Sequence, residues 1–222
     1  MAAAPTAAPT VTQAALNNAS WCASVIRAHG GTAHFAPTLW WSVEPAPPLY
    51  PRAVTLAPAL DSGATQRLAR LAPGDAVKDS FAALPLDGFD VLFEATWFWR
   101  ASKGGAPAPA YVRTPEAFAA WVGAWGEGER ILPTALLQDQ SVLILALNEA
   151  MDAGCILNLA GGVVGLSNLF GRDAAARARM IEAAAREAGE LPLVGYEAIG
   201  ADEDWRTAGF QPLGPLRVLL KR

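Results

Sequence analysis

Three apolar runs of strand length, Val142–Leu147, Cys155–Leu159 and Val163–Asn168, follow one another with only Asp152-Ala153-Gly154 and Ala160-Gly161-Gly162 as turn signals between them. Loops this short join antiparallel neighbours, so the spacing predicts a meander. The period then changes. From Asp173, the run DAAARARMIEAAAREAG places Ala176, Met180, Ile181, Ala184 and Ala188 at three- and four-residue intervals and stops at Gly189, which predicts an amphipathic helix. An apolar strand over Leu191–Glu197, a short helix over Asp202–Ala208, a Gly209-Phe210 turn and a last strand over Leu216–Lys221 complete the chain. A meander running into a strand–helix–strand unit places the chain in the α+β class, with a central twisted mixed sheet flanked by helices.

Upstream the signals are more broken. Ala15, Leu16, Ala19, Cys22, Val25 and Ile26 recur at helical spacing between Thr12 and His29, ahead of Gly30-Gly31. Prolines at 37, 45, 47, 48, 51 and 58 forbid helix through the next stretch and leave short β-rich runs at Leu39–Val43 and Ala53–Ala57. A helical patch at Gln66–Leu71 and a further element over Asp75–Leu84 precede a strong strand, Phe89–Trp99. Beyond the aperiodic ASKGGAPAP come a strand Tyr111–Arg113, a helix Thr114–Trp125 opened by Thr114-Pro115-Glu116, and a short helix near Thr134–Gln138. The expected division is a disordered tail over 1–11, an N-terminal α/β unit over 12–108 and a second unit over 109–222. Strand, helix and Gly-Phe strand recur in both, with Ala53–Ala57, Gln66–Leu71 and Gly88-Phe89 set against Leu191–Glu197, Asp202–Ala208 and Gly209-Phe210. A degenerate tandem repeat, with its cleft between the halves, follows as an expectation.

Composition excludes several classes. Of 222 residues 52% are hydrophobic and 17% charged, a balance that buries a core. The net charge of −4, with no Lys/Arg cluster, argues against nucleic-acid binding. No apolar run approaches the roughly 20 residues of a membrane span, and the first 20 residues lack the charged and apolar blocks of a secretory signal. A cytoplasmic protein is the expectation. Cys22 and Cys155 read as buried free thiols. His29 and His34, five apart across Gly30-Gly31, lack the third ligand a metal site needs.

The run VVGLSNLFGRDAAARARM, followed by LPLVGYE and WRTAGFQPLG, resembles the GNAT superfamily of acyl-CoA-dependent N-acetyltransferases over about Tyr111–Arg222. The resemblance implies that the fourth strand leads into a pyrophosphate loop and helix, and that acetyl-CoA or another acyl-CoA is the cofactor. A helix start offers unsatisfied N–H groups and the positive end of its dipole to a diphosphate. The residues assigned there are Leu166, Asn168, Gly171, Arg172, Asp173 and Ala174. The family frame of Gln or Arg, two residues, Gly, one residue, then Gly or Ala falls on Asn168, Gly171 and Asp173 and fits at its middle position only. Asp173 is a strong N-cap whose carboxylate competes for the same N–H groups. Trp205 stands where the family commonly has a Tyr acid, leaving Tyr196 or water to return a proton.

Strict alternation in Phe89–Trp99 puts Val91, Phe93, Ala95, Trp97 and Trp99 on one face and Leu92, Glu94, Thr96 and Phe98 on the other. Glu94 reads as a general base if buried, or as an edge carboxylate in water or beside Arg52 or Arg113. Eight tryptophans read as core rings or as walls of an apolar acceptor pocket. Two functions follow. One is transfer of an acyl group from acyl-CoA to a small-molecule amine. The other is a catalytically inactive GNAT-fold binding or assembly module, and homodimer formation is compatible with either.

Overall fold

In the computed structural model, residues 7–102, 108–126, 131–201 and 203–222 are described. Part of the expected tail, residues 1–6, the centre of the expected linker, residues 103–107, and Asp202 lie outside them. Among the described residues eleven strands form one sheet in the order β1-β2-β3-β4-β11-β5-β10-β9-β8-β7-β6. They are β1 (Ala33–Phe35), β2 (Leu39–Ser42), β3 (Ala53–Thr55), β4 (Ala76–Asp79), β5 (Phe89–Arg100), β6 (Ala110–Tyr111), β7 (Val142–Ala146), β8 (Ala153–Ala160), β9 (Val163–Gly171), β10 (Leu193–Ala198) and β11 (Gln211–Lys221). The helices are α1 (Val11–Ala28), α2 (Ser62–Ala69), α3 (Pro115–Trp125), α4 (Ala174–Glu187) and α5 (Glu203–Thr207), with a 3-10 turn at Thr134–Gln138.

The meander is present as β7, β8 and β9, antiparallel in sequence order. Local capping sets the helix starts. Thr10 and Gln13 form a capping box at α1, Thr114 accepts from Ala117 N with Pro115 in the first turn of α3, and Asp173 caps α4. The Asp75–Leu84 stretch supplies a strand, β4.

Each half of the chain carries the same unit. β3 is joined through α2 to β4, which is parallel to it, and β9 through α4 to β10, also parallel. The strand that follows each unit then crosses to the other half: β5 pairs with β10, and β11 with β4, both antiparallel, while β5 and β11 pair with one another at the centre. The repeat is therefore in a different register from the one read in the sequence, since β3 corresponds to β9 and not to Leu191–Glu197. One continuous sheet runs through both halves.

Side-chain alternation divides the core. On one face α1 packs Ala14 against Ala95, Trp97 and Val194, and packs Cys22 and Ile26 against Trp40 and Val54. α3 adds Phe118, Trp121 and Val122 over Ile144 and Ile156. On the opposite face α4 and Trp205 of α5 cover Phe98, Leu157, Leu166 and Leu193, and α2 covers Leu39 and Val77. Most of the tryptophans are core: Trp21, Trp40, Trp97, Trp121 and Trp205 are all buried. Cys22 and Cys155 are buried and free, and burial pushes the Cys22 thiol up to about 11 and the Cys155 thiol higher.

Candidate functional site

The parallel pair β9/β10 holds only two residue pairs in register, Val164 with Leu193 and Gly165 with Val194. Past these the strands separate. β9 also carries an extra residue, because Ile156 faces Ser167 while Gly154 faces Phe170, and Asn168 takes a left-handed conformation (φ 51°) at this bulge. The opening leads to a cavity of about 310 Å³ at the carboxyl ends of the two strands, roofed by α1. This is where open sheets with parallel strands place ligands.

Side chains from distant segments meet there. Asn17 of α1 donates to the carbonyls of Asn158 and Val163 at 3.0 and 3.2 Å, and Asn158 donates back to Asn17 O at 3.0 Å. This clasp fixes α1 over β8 and β9. It requires Gly165, because a Cβ there would overlap the Asn17 and Asn158 side chains. The next residue of α1, Asn18, accepts a 2.7 Å hydrogen bond from Lys78 Nζ of β4, and that ammonium stands 4.1 Å from the centre of the Tyr196 ring. Lys78 is 3% exposed. Tyr196 in turn packs edge-on against Trp97, whose Nε1 donates to Ser80 O at 2.9 Å. Tyr50 and Trp21 line the same cavity, and burial, then the neighbouring Cys22, hold the Tyr50 hydroxyl well above its ordinary pKa. Trp205 closes the opposite side. Its ring fills the space a Cβ would need at Gly195, and its Nε1 donates to Glu197 Oε2 at 3.2 Å.

The structure brings Tyr196, Leu166 and Asn168 to this cavity and leaves the other expected site residues outside it. Glu94 is exposed and lies on the sheet face away from α1; neither Arg52 nor Arg113 pairs with it, since Arg52 bonds Asp75 and Arg113 stacks on Tyr111. Gly171 belongs to β9, so the family frame read on Asn168, Gly171 and Asp173 lies mostly within a strand.

Only Arg172 and Asp173 connect β9 to α4. Asp173 Oδ1 accepts from Ala176 N at 2.7 Å, and that hydrogen bond, then Arg172, hold its carboxyl below the ordinary range. Arg172 spends its guanidinium on Asp152 at 2.9 Å and Asp173 at 3.2 Å. The space beside Gly171 is taken by the stem of Arg177, whose Cγ would lie 2.5 Å from a Cβ there. Asp173, Arg172 and the space beside Gly171 are thus each engaged by contacts within the protein. A carboxylate already holds the helix start, and a phosphate there would meet its charge.

Lys78, Asn18, Ser167 and Tyr50 were missed by sequence reasoning. The one signal was a lysine inside the strand-like Ala76-Val77-Lys78-Asp79.

No family model matches the chain, and no curated protein matches it either. Solved structures do. A chain from Novosphingobium aromaticivorans assigned to the GNAT family of acetyltransferases superposes with a TM-score of 0.55 at 13% identity, over 91% of this chain and 98% of that one. A conserved protein of unknown function from Staphylococcus epidermidis gives 0.55 at 10% identity, over 86% and 94%. A GCN5-related N-acetyltransferase from Sphaerobacter thermophilus gives 0.51 at 13%, over 96% and 94%. At such identities the likeness speaks for architecture. With its meander, its separated parallel strands and its helices on both faces, the chain has the GNAT fold.

Proposed function

We propose that this chain is a GNAT-fold module that binds a small organic molecule in the cavity between β9, β10 and α1, and that it does not use acyl-CoA as a donor. The observation that carries this reading is the two-residue connection at Arg172-Asp173, with the Asp173 carboxylate bonded to Ala176 N. Diphosphate binding at a helix start depends on free N–H groups and an uncontested positive dipole end, and here an anionic side chain has taken that position.

The cavity itself suits a ligand. Its walls combine the rings of Trp21, Trp97, Trp125 and Trp205 with polar and charged side chains such as Asn18, Lys78, Arg177 and Glu197, so that it offers both apolar and polar contacts to a ligand. The acyl-transfer reading retains one favourable observation: Tyr196, whose hydroxyl is able to move a proton, lines the cavity beside the separated strands.

Calorimetric titration with acetyl-CoA, together with release of free thiol in the presence of a panel of small amines, separates the two. No saturable binding at millimolar acetyl-CoA and no thiol release are expected. Saturable binding with turnover would overturn the proposal and return Tyr196 to a catalytic role.

A further inference from the structure

Three charged side chains line the cavity, Lys78, Arg177 and Glu197; Glu197 accepts from the Trp205 indole, and the lysine is the buried one. Lys78 is 3% exposed, yet among the described residues no carboxylate lies within ion-pair distance of it. An ammonium has three donors. One goes to Asn18 Oδ1 at 2.7 Å, and the face of Tyr196 offers a cation–π contact on another side. A neutral amide and a ring quadrupole are weak compensation for a buried cation, which is normally paired.

The adjacent residue on β4 shows the contrast. Asp79 is 1% exposed and satisfied by Arg217 at 2.7 Å and by the backbone N–H groups of Ala83 and Leu84 at 3.2 and 3.0 Å. Side chains of β4 alternate across the sheet, so Asp79 meets its countercharge on one face while Lys78 meets the cavity on the other. A second polar group accompanies it: the buried Ser167 Oγ, of a residue also in the cavity wall, has no hydrogen-bond partner among the described residues.

We infer that the cavity takes a small organic acid, its carboxylate bound by Lys78 Nζ and its apolar body held between the aromatic walls. This rests on reading the cavity as the ligand site, and it adds the ligand's charge class. A carboxylate supplies the acceptor oxygens that the remaining donors of the ammonium can bond, and charge-assisted bonds of this kind are the strong ones. The volume, about 310 Å³, matches a molecule at the small end of the range that protein pockets accept.

Benzoate and benzamide share a shape and differ in charge, so they serve as the probe pair. The intact chain titrated with each by calorimetry, and followed by tryptophan fluorescence, is expected to bind benzoate at least about tenfold tighter than benzamide. Lys78→Met keeps the length of the stem and removes the charge, and it is expected to abolish that preference. The variant's thermal midpoint is expected to stay at or above that of the parent, because an unpaired buried cation has been removed.

Equal binding of the two probes, a preference that persists in Lys78→Met, or no binding of benzoate at about 10 mM, far above ordinary pocket affinities, would each overturn the inference. Equal binding would still leave the cavity a small-molecule site. Inorganic phosphate binding as tightly as benzoate would overturn the organic-acid assignment. Acetyl-CoA binding fails the previous proposal without bearing on this one.

Discussion

The two parallel strand pairs are built alike and end differently. β3/β4 and β9/β10 each keep only two residue pairs in parallel register before their carboxyl ends. At the first, Ser80 N donates to Thr55 Oγ1 at 2.8 Å, the Trp97 indole donates to Ser80 O, and Asp79 binds Arg217, so side chains stitch the strands where backbone pairing stops. At the second, among the described residues, no side-chain hydrogen bond joins β9 to β10 past their two register pairs, and the space becomes the cavity. One topology thus yields a closed end, held by the Thr55–Ser80 bond and the Asp79–Arg217 pair, and an open end towards which the buried Lys78 of β4 is directed. Pairing geometry makes a binding site possible here, and the side chains at the strand ends decide which copy keeps one.

Replacing Asp79 with Ala breaks this contrast most severely. It leaves Arg217 without its countercharge and the Ala83 and Leu84 N–H groups without their acceptor, and the expected loss is about 3–5 kcal/mol of stability by denaturant unfolding. An unfolding midpoint unchanged from the parent would mean that the closed end does not depend on this ion pair.

Thr55→Val tests the stitch with almost no change of shape. The buried Ser80 N–H loses its acceptor, at an expected cost of about 1–3 kcal/mol, with faster hydrogen exchange localised to the ends of β3 and β4. Uniform exchange across the sheet would show that the bond does not act locally.

The smallest effect belongs to the open end. Asp173→Ala removes the exposed cap of α4, and the loss of thermal stability is expected to depend on pH. The folded-state pKa of Asp173 is depressed, chiefly by the bond to Ala176 N, so its contribution is complete above the unfolded value of about 4 and disappears as pH falls through the lower folded value. Parent and variant midpoints should therefore differ at pH 7 and converge below pH 4. A difference that persists in acid would mean that the carboxylate's charge is not what stabilises the helix start.

Local signals in the chain were legible. The α4 start at Asp173 depends on a side chain bonding an N–H three residues on, and the meander depends on short turns between apolar runs, so both could be read within a few residues. The family frame misled because Phe170-Gly171-Arg172-Asp173 reads as a loop, whereas β9 continues through Gly171 in antiparallel pairing with Ala153. Glu94 drew attention for its apolar neighbours in the sequence, but those that alternate with it point to the opposite face. The Gly-Phe turns that open β5 and β11 do correspond, but the strand and helix before them were read one element out of step because β4 stands between α2 and Gly88.

The sequence by itself determined the fold class, most helix and strand positions, the caps and the apolar faces, because periodicity and capping act over a few residues. Only the tertiary structure decided where the site lies. Lys78 meets Asn18 across 60 residues, and Asn17 clasps Asn158 across 141. Which end of a repeated unit stays open also depends on the exchange of β5 and β11 between the halves. The physical reason is that a buried charge acquires its meaning from what surrounds it in space, and those surroundings come from strands and helices far apart along the chain.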